Sequence, residues 1–368
     1  MMPKPSPRPP VSATAPRNIF VFPAWGENNP YLNMLYLVAR TRGWVLQNAT
    51  RLGPFFDQIG NAQPGDVIHV HWTAPIAQHA PDEADARLRL AQFQSRVDHA
   101  RARGVSVLWT IHNRVPHDCP YPEVERALMR YLARVADAVI TINPLTPEIV
   151  SDLVTLDPAK IVLLRHPSYQ GLYAENETRA EARDSLRLAP EQRAVLFFGQ
   201  MRRYKGLTEF FSAMEEVHRR DGRVVLLLAG KTNDADLEWI TERVPASVPA
   251  RRDHRFLPDD EVQRWFLAAD AVVLPFQHVL NSGSMFLCAT FGRSVIVPAQ
   301  RELTAEFGGE GWVRFYDHEN PEGLVEAIAS TVADPDPVSA DALAFAASRP
   351  PYRLALDFDQ VLEQLTQV

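Results

Sequence analysis

What the 368-residue sequence contains little of excludes several classes of protein. It has only two cysteines, too few for a disulfide framework or a four-cysteine zinc site. No apolar run approaches the roughly 18 residues that a membrane-spanning helix needs. The Pro- and Ser-rich start of the chain lacks the apolar core of a signal peptide, so we expect a disordered leader and a cytoplasmic protein. Lysine is scarce as well, and the four lysines are Lys4, Lys160, Lys205 and Lys231.

Two nucleotide-binding signatures are also missing. No G-x-G-x-x-G follows the first predicted strand of either half and no Walker motif occurs, which argues against an NAD enzyme and a P-loop ATPase. The formal charge of -7 and a pI near 5.9 argue against general nucleic-acid binding. With 46% hydrophobic and 23% charged residues, the chain has the composition of a folded protein with a full core.

Short apolar runs alternate with longer amphipathic stretches along the chain. Continuous runs rich in Val, Ile and Leu are typical of parallel strands buried on both faces, so the sequence predicts an α/β fold. The alternation stops in a polar segment and resumes at Ala194, which predicts two doubly wound domains. The expected organisation is a leader 1–17, a first domain 18–168, a linker 169–189, a second domain 190–350 and a final helix 351–368 that crosses back to the first domain or docks on the second.

The predicted strands matter because two doubly wound domains that face each other bind ligands at the carboxyl ends of their strands. In the first domain the predicted strands are Asn18–Phe22, Asp66–Trp72, Val105–His112, Ala138–Asn143 and Lys160–Arg165. In the second domain they are Ala194–Gly199, Arg223–Gly230, Arg252–Phe256, Ala271–Phe276, Ser294–Pro298 and Trp312–Tyr316.

A basic loop follows the first predicted strand of the second domain. It runs from Gly199 to Leu207, where a helix begins, and it carries Arg202 and one of the scarce lysines, Lys205. A helix start combined with a guanidinium fork and a point charge suits a diphosphate. A solvated basic loop is the alternative interpretation.

A second loop follows the predicted strand Ala271–Phe276 and ends in a short polar run before an apolar helix. The run consists of Asn281, Ser282, Gly283 and Ser284. Small residues leave the backbone amides open to an anion, which predicts a second phosphate contact at the same sheet edge. Such a run also serves simply to cap a helix.

Candidate catalytic groups follow a strand of the first domain. His112 ends the strand Val105–His112, and Asp118 follows in the next loop, so both are expected to face the cleft. His69 and His71 share one face of another strand and could bind a metal together with His112. We favour hydrogen-bonded structural histidines, since no acid or cysteine has matching spacing.

The loop after the first strand has the side chains that a sugar site requires. It offers a carboxylate, two amides and two aromatic rings, namely Trp25, Glu27, Asn28, Asn29 and Tyr31. Carboxylates and amides bind sugar hydroxyls, and aromatic rings stack on the C–H faces of the sugar. The alternative is a helix start capped by Asn29 with Pro30 in the first turn.

Arginines recur at helical spacing on two stretches of the first domain. One series is Arg126, Arg130 and Arg134, and the other is Arg89, Arg96 and Arg103. Solvated helix faces are the simpler interpretation, and a surface that contacts anionic lipid headgroups is the alternative.

Several of these segments, together with others along the chain, resemble the GT-B nucleotide-sugar glycosyltransferases of the family 4-like clan. Among them the chain most resembles bacterial exopolysaccharide enzymes of the xanthan type, the GDP-mannose:glycolipid β-mannosyltransferases. The matching segments are Asn29–Tyr36, His69–Trp72, Thr110–Asp118, Phe198–Gly206, Val272–Ser284 and Gly309–Tyr316. The resemblance implies two Rossmann-like domains facing across a cleft, with the donor nucleotide on the second and the acceptor on the first.

The resemblance also implies roles for individual residues. Arg202, Lys205 and the amides of the second loop would bind the donor diphosphate, and His112 would contact the donor sugar or its phosphate. No metal or other cofactor is expected, because fixed positive charge replaces the divalent ion. The nucleoside would contact Gly230, Lys231, Phe256 and Leu257.

One departure from the family pattern bears on mechanism. The retaining members carry two glutamates eight residues apart, and the corresponding positions here are Val279 and Leu287. An inverting displacement is therefore expected, with a general base that deprotonates the acceptor hydroxyl. Asp118 is the first candidate for this base and Glu27 the second.

The resemblance therefore implies an enzyme that transfers a hexosyl unit, mannose from GDP-mannose, to a lipid-linked saccharide acceptor in polysaccharide or glycolipid assembly. We expect it in the cytoplasm, in peripheral contact with the inner face of the plasma membrane, and without nucleic-acid partners. Three alternatives stay open: a retaining transferase that uses a UDP-sugar, an inactive GT-B binding or scaffold subunit, and a sugar-phosphate epimerase.

Overall fold

The computed structural model describes residues 17–26, 30–116, 118–335 and 338–366. These residues form two compact units, one drawn from Met1–His166 and Pro351–Val368 and the other from Pro167–Pro350. Each unit is built on a six-stranded parallel sheet with helices between successive strands, which confirms the α/β class with two doubly wound sheets. Among the described helices none combines the length and the apolar character needed to cross a bilayer.

The first unit surrounds a sheet whose central strands are buried along their whole length. Its strands are β1 Asn18–Phe22, β2 Val45–Asn48, β3 Val67–Val70, β4 Ser106–Ile111, β5 Ala138–Thr141 and β6 Ile161–Leu163, in the order β2-β1-β3-β4-β5-β6. Its helices are α1 Pro30–Leu35, α2 Leu37–Thr41, α3 Leu52–Gly60, α4 Ala74–Ala77, α5 Glu83–Ala102, α6 Pro122–Val135 and α7 Thr146–Ile149, with a 3-10 turn at Pro158–Lys160.

The second unit repeats this arrangement. Its strands are β7 Arg193–Phe198, β8 Val224–Ala229, β9 Ala250–Asp253, β10 Ala271–Val273, β11 Val295–Pro298 and β12 Val313–Tyr316, in the order β12-β11-β10-β7-β8-β9. Its helices are α8 Arg179–Ser185, α9 Leu207–Arg220, α10 Asp234–Arg243, α11 Asp259–Ala268, α12 Gly283–Thr290, α13 Arg301–Phe307, α14 Gly323–Ala333 and α15 Ala340–Ser348, with a 3-10 turn at Arg203–Lys205. The last helix of the chain, α16 Pro351–Thr366, belongs to the first unit.

Strand β2 is the one described strand that the sequence pattern did not predict. Its four residues, Val45–Asn48, pair with one edge of β1 and remain exposed or half-buried. A short edge strand needs no continuous apolar run, so it has no hydrophobic pattern by which it can be recognised.

The segment 169–189, expected to be a linker, contains helix α8 and packs within the second unit. Thr178 and Glu181 form a reciprocal capping box that starts the helix. From its first two turns, Arg179 Nη2 and Arg183 Nη1 donate to the buried carboxylate of Asp270 at 2.6 Å and 3.3 Å. The polar composition that suggested a linker therefore belongs to a short helix held by ion pairs.

Helix α16 packs its apolar face on α1 and α2 of the first unit. Phe358 lies edge-on to Tyr36, with ring centroids 5.3 Å apart, and stacks on His69 at 5.5 Å. On the same helix the buried carboxylate of Asp359 accepts from Arg42 Nη1 at 2.6 Å. Of the expected leader 1–17 only Arg17 lies within the described residues, and its Nη1 donates to Thr366 Oγ1 at 2.7 Å.

The order of the strands determines where each unit can bind a ligand. In the first sheet the chain changes its direction of winding between β1 and β3, and in the second between β7 and β10. Loops that leave neighbouring strands at such a switch point diverge to opposite faces and open a crevice at the carboxyl ends. The loops after β1, β3, β7 and β10 are therefore the places to look for sites.

We predict that Asp270→Ala destabilises the second unit by about 3 kcal/mol, because it removes the one buried carboxylate that Arg179, Arg183 and the backbone N–H of Ala194 share. Urea denaturation followed by circular dichroism measures the change. The matched control is Asp221→Ala, which breaks an exposed ion pair with Arg223 and should cost less than about 1 kcal/mol. Equal losses in the two variants would contradict the anchoring role of Asp270.

Candidate functional site

In the second unit, a tight turn connects β7 to α9. The chain leaves the strand at Gly199, passes through the 3-10 turn that contains Lys205, and enters the helix through Gly206. Gly206 has a φ of +71°, and a Cβ at this position would lie 2.0 Å from the carbonyl oxygen of Pro275. Only glycine fits here. The residue before α9 thereby lies directly against the chain segment that follows β10.

Lys205 lies half-buried in this turn, and its surroundings lower the pKa of its side chain. Burial and, to a smaller extent, the neighbouring charge of Arg202 lower the pKa of its ammonium to about 8. A lysine held close to another cation and partly shielded from water is stabilised by an anionic ligand. The structure therefore brings together Arg202 and Lys205, as the basic-loop hypothesis requires.

Arg202 is held in place by a residue that the sequence reasoning missed. Its Nη1 donates to Oδ2 of Asp236 at 3.3 Å, and Arg203 Nε contacts the other oxygen of the same carboxylate at 3.4 Å. Asp236 lies in the first turn of α10, where its backbone N–H donates to the capping side chain of Asn233. The spacing Asn233-x-x-Asp236 is typical of the start of a helix. The sequence therefore indicated only a capping role for this acidic residue, and not a contact with Arg202.

The second predicted phosphate loop adjoins the first. Helix α12 begins at Gly283 behind Ser282, and no side chain caps its first turn. The first amides of a helix have no acceptor within the helix, so an anion can take that place. A Cβ built on Gly199 would lie 3.6 Å from Oγ of Ser284, which shows that the two loops meet. Asn281, Ser282, Gly283 and Ser284 are all half-buried.

The residues expected to hold a nucleoside lie at the ends of β8 and β9. Gly230 has a φ of +135°, and a Cβ there would lie 2.1 Å from the carbonyl oxygen of Gly199, so the two strand ends pack backbone against backbone. Lys231 is exposed and Phe256 is 49% exposed. Leu257 is buried in the core and supports the loop from beneath. The two exposed side chains are the ones that a ligand can reach.

In the first unit, a cavity of about 170 Å³ opens at the carboxyl ends of β1, β3 and β4. Its wall includes Trp25, Trp72, His112 and Asp118, so one pocket combines indole rings, an imidazole and an exposed carboxylate with other residues. Tyr31 is buried and lies edge-on to His112, with ring centroids 5.5 Å apart. The other three residues of the predicted sugar loop, Glu27, Asn28 and Asn29, lie outside the described residues.

Three histidines of the first unit, His69, His71 and His112, belong to one hydrogen-bonded row. His71 Nδ1 lies 3.0 Å from His112 Nε2, and Tyr36 Oη lies 2.7 Å from both His71 Nε2 and His69 Nδ1. His69 Nε2 lies 2.8 Å from Oγ1 of Thr110. The three histidines are therefore hydrogen-bonded within the protein, as the structural interpretation requires.

Burial controls the charge of this row. It lowers the pKa of His69 to about 3, and it lowers the pKa values of His71 and His112 well below the ordinary range, with a further decrease from each neighbouring ring. All three imidazoles are therefore neutral at physiological pH. Trp72 covers the face of His112, with ring centroids 4.2 Å apart and planes 16° from parallel.

Glu125 is a second carboxyl group in the cavity wall that the sequence reasoning missed. It is 2% exposed, and burial raises its pKa, although hydrogen bonds from Thr73 and Gln78 act in the opposite direction. Gln78 Nε2 donates to Oε2 of Glu125 at 3.1 Å, and Thr73 donates to the other oxygen. Glu125 lies in the first turn of α6, where acidic residues are common, so its position gave no functional signal.

Comparison with known proteins identifies the architecture and the enzyme class. Residues 192–334 match the family model "Glycosyl transferases group 1". The chain is 26% identical over 332 residues to GDP-mannose:glycolipid 4-beta-D-mannosyltransferase of Xanthomonas campestris pv. campestris, covering 87% of this chain and 86% of that protein. The predicted resemblance to these glycosyltransferases is thereby confirmed.

Solved structures extend the similarity in fold to nearly the whole chain. Sucrose-phosphate synthase of Thermosynechococcus elongatus superposes with a TM-score of 0.74 at 17% identity, covering 95% of this chain and 99% of that one. Anabaena HepE in complex with UDP and glucose superposes with a TM-score of 0.73 at 13% identity, covering 96% and 100%. The predicted GT-B fold class is confirmed, and the family model and the curated relative support the predicted glycosyltransferase activity.

We predict that Lys205 takes up a proton when inorganic pyrophosphate binds to the second unit at pH 8.5. With a pKa of about 8, Lys205 is charged at pH 7 but largely neutral at pH 8.5, and a bound anion raises its pKa again. Calorimetric titration in buffers of different ionisation enthalpy counts the protons. Lys205→Met removes the titrating group and is the control. Equal proton uptake in both proteins would place the bound anion away from Lys205.

Proposed function

We propose that this glycosyltransferase moves mannose from GDP-mannose to a saccharide carried on a lipid, by an inverting, metal-independent displacement. The similarity to a GDP-mannose:glycolipid mannosyltransferase carries the proposal, because it extends over 87% of the chain and so includes both units. The geometry of each unit supports a separate part of it.

The donor diphosphate would occupy the paired loops of the second unit. Arg202 and Lys205 supply two positive charges, and the uncapped start of α12 supplies backbone N–H groups. Fixed donors of this kind stabilise the charge that develops on the departing diphosphate, which is the task that a divalent ion performs in other transferases. Asp236 holds the guanidinium of Arg202 in position before the donor arrives.

The nucleoside would lie beyond these loops, at the ends of β8 and β9. Phe256 offers an exposed ring for stacking on a base, and Lys231 offers a charge beside it. The close packing of Gly230 on Gly199 leaves no side chain between the two strand ends, so a ribose can approach the backbone there.

The acceptor sugar would bind in the cavity of the first unit. Trp25 and Trp72 lie 5.3 Å apart in its wall and provide apolar faces for a sugar ring. Asp118 is exposed to the same cavity and is our proposed general base, with Glu27 as the second candidate. Glu125 joins α6 to the loop after β3 through Gln78 and Thr73, and thereby fixes the shape of the cavity.

Arginines of the first unit support a peripheral contact with an anionic membrane on the cytoplasmic side. Two arginines of the second series have partners within the protein: Arg89 on α5 pairs with Asp85, and Arg103, just after α5, donates to the carbonyl oxygen of Ile59. Arg96 and Arg130 are exposed, and they remain the candidates for lipid phosphates.

The identity of the donor is tested by a thermal-shift panel of GDP, UDP, ADP and dTDP. We expect GDP alone to raise the melting temperature, since a ligand present at about 100 times its Kd stabilises the native state by about 2.7 kcal/mol. The second experiment assays mannosyl transfer to a lipid-linked saccharide. The proton coupling at the anomeric carbon of the product then distinguishes inversion from retention. A shift with UDP and a retained anomer would favour the alternative, a retaining UDP-sugar transferase. Binding without transfer would favour a scaffold subunit.

We predict that Lys205→Ala lowers the turnover of this reaction on the order of a hundredfold, the usual cost of removing one electrostatic stabiliser of a transition-state charge. Lys205→Arg keeps the charge and should retain most of the rate, so the pair separates charge from shape. Undiminished turnover in the alanine variant would remove Lys205 from the phosphate site.

We predict that Asp118→Asn lowers kcat about a hundredfold or more without preventing donor binding, because the amide cannot accept the proton of the acceptor hydroxyl. The control is Asp57→Asn, an exposed aspartate on α3 of the same unit. Steady-state rates at saturating donor measure the effect. If Asp118→Asn keeps its rate, the base lies elsewhere, and Glu27 is the next residue to change.

A further inference from the structure

The buried row of hydroxyls and imidazoles in the first unit contains more groups than binding at the cavity requires. His112, His71 and Thr110 contribute to the cavity wall, whereas His69 and Tyr36 do not, and every member of the row except His112 is at most 1% exposed. A buried polar row costs stability unless every member is paired, so its internal arrangement of protons is tightly constrained.

The number of protons in the row can be counted. A neutral imidazole has one donor and one acceptor, and a hydroxyl has one donor. The four contacts Thr110–His69, His69–Tyr36, Tyr36–His71 and His71–His112 each need one proton. If two N–H groups met at the oxygen of Tyr36, the tyrosine proton would have no acceptor among the described residues. The row therefore has two coherent arrangements, in which all the hydrogen bonds point either toward His112 or away from it.

Thr110 decides between the two arrangements. Among the described residues its Oγ1 has one hydrogen-bond partner, Nε2 of His69. If the row pointed away from His112, His69 would donate to Thr110, and the buried hydroxyl proton of Thr110 would have no acceptor. If the row points toward His112, Thr110 donates and this penalty is avoided. The second arrangement is the one that leaves no donor of Thr110, His69, Tyr36 or His71 unsatisfied.

We propose that Thr110, acting through His69, Tyr36 and His71, fixes His112 as the tautomer that carries its proton on Nδ1. In this arrangement Nε2 of His112 accepts from Nδ1–H of His71, and the remaining nitrogen of His112 is an N–H donor. His112 then binds an oxygen acceptor, such as a sugar hydroxyl or a phosphate oxygen, and does not remove a proton. Tyr36 and His71 are positioning residues for it.

The surroundings of the row keep this arrangement from exchanging with water. Phe358 of α16 covers the face of His69 and touches the edge of Tyr36, while Trp72 covers His112 at the other end. Burial also keeps the phenol of Tyr36 protonated, since it raises the pKa well above the ordinary value. Without water as a substitute partner, a change at Thr110 affects every hydrogen bond as far as His112.

The assignment of a donor role to His112 rests on the proposed function, but the tautomer itself is tested without any assay of transfer. Long-range proton–nitrogen correlation spectra of the full chain, labelled with nitrogen-15 in its 11 histidines, report which ring nitrogen carries the proton. Loss of one signal set in each of His69→Gln, His71→Gln and His112→Gln provides the assignment. We expect His69, His71 and His112 all to be protonated at Nδ1. A proton on Nε2 of His112 overturns the proposal.

A matched pair of variants tests the control by Thr110. Thr110→Val keeps the shape of the side chain but removes its donor, so both directions of the row leave one group unpaired, and we expect mixed tautomer signals at His69. Thr110→Ser restores the donor and should restore the wild-type spectrum. In the transfer reaction the valine variant should lose on the order of tenfold in kcat/KM, as for one ordinary hydrogen bond, and the serine variant should recover it. Wild-type tautomers in Thr110→Val overturn the proposal, whereas the absence of transfer in every protein, with the expected spectra, contradicts only the proposed function.

Discussion

Burial of parallel strands on both faces is the constraint on which the rest of this structure depends. Central strands such as β3, β4, β5 and β8 have no exposed residue, so polar side chains inside them must find partners within the protein. Most of the polar chemistry is therefore displaced to the loops at the carboxyl ends. Two of the exceptions, His69 and Thr110, are buried in neighbouring strands and pair with each other. The same constraint thus explains both the two site edges and the hydrogen-bonded row behind one of them.

The two units are both built on doubly wound parallel sheets, but their candidate sites differ in charge. The second unit concentrates positive charge in a protein of net charge -7, and it does so with backbone as much as with side chains. Three glycines at the ends of β7 and β8 and before α9 allow the loops to meet closely, and Asp236 balances two arginines nearby. The first unit keeps its site neutral, with aromatic rings and uncharged imidazoles around a few carboxyl groups. One unit is suited to anions and the other to uncharged, hydroxyl-rich ligands.

Most of the fold was predictable because its strands are continuous apolar runs. Strand β1 has the predicted bounds, and the basic loop and the short polar run meet at one sheet edge as the strand order requires. Strand β2 was not predicted because an exposed edge strand has no continuous apolar run. Helix α8 was not predicted because its arginines, which bind Asp270, gave the segment the polar composition of a linker. Asp236 and Glu125 could not be recognised because each occupies the first turn of a helix, where an acidic residue needs no further explanation. Their partners lie far away in sequence, and only the folded chain shows them.

The return of α16 to the first unit affects how the protein is made. The ribosome completes the strands of that unit early, but Phe358 and Asp359, which pack on Tyr36 and pair with Arg42, follow the whole second unit in the chain and are synthesised after it. During translation the second unit is therefore finished while the first still lacks its closing helix. A chain that terminates prematurely, before residue 351, would expose the apolar faces of α1 and α2 and the ring of His69.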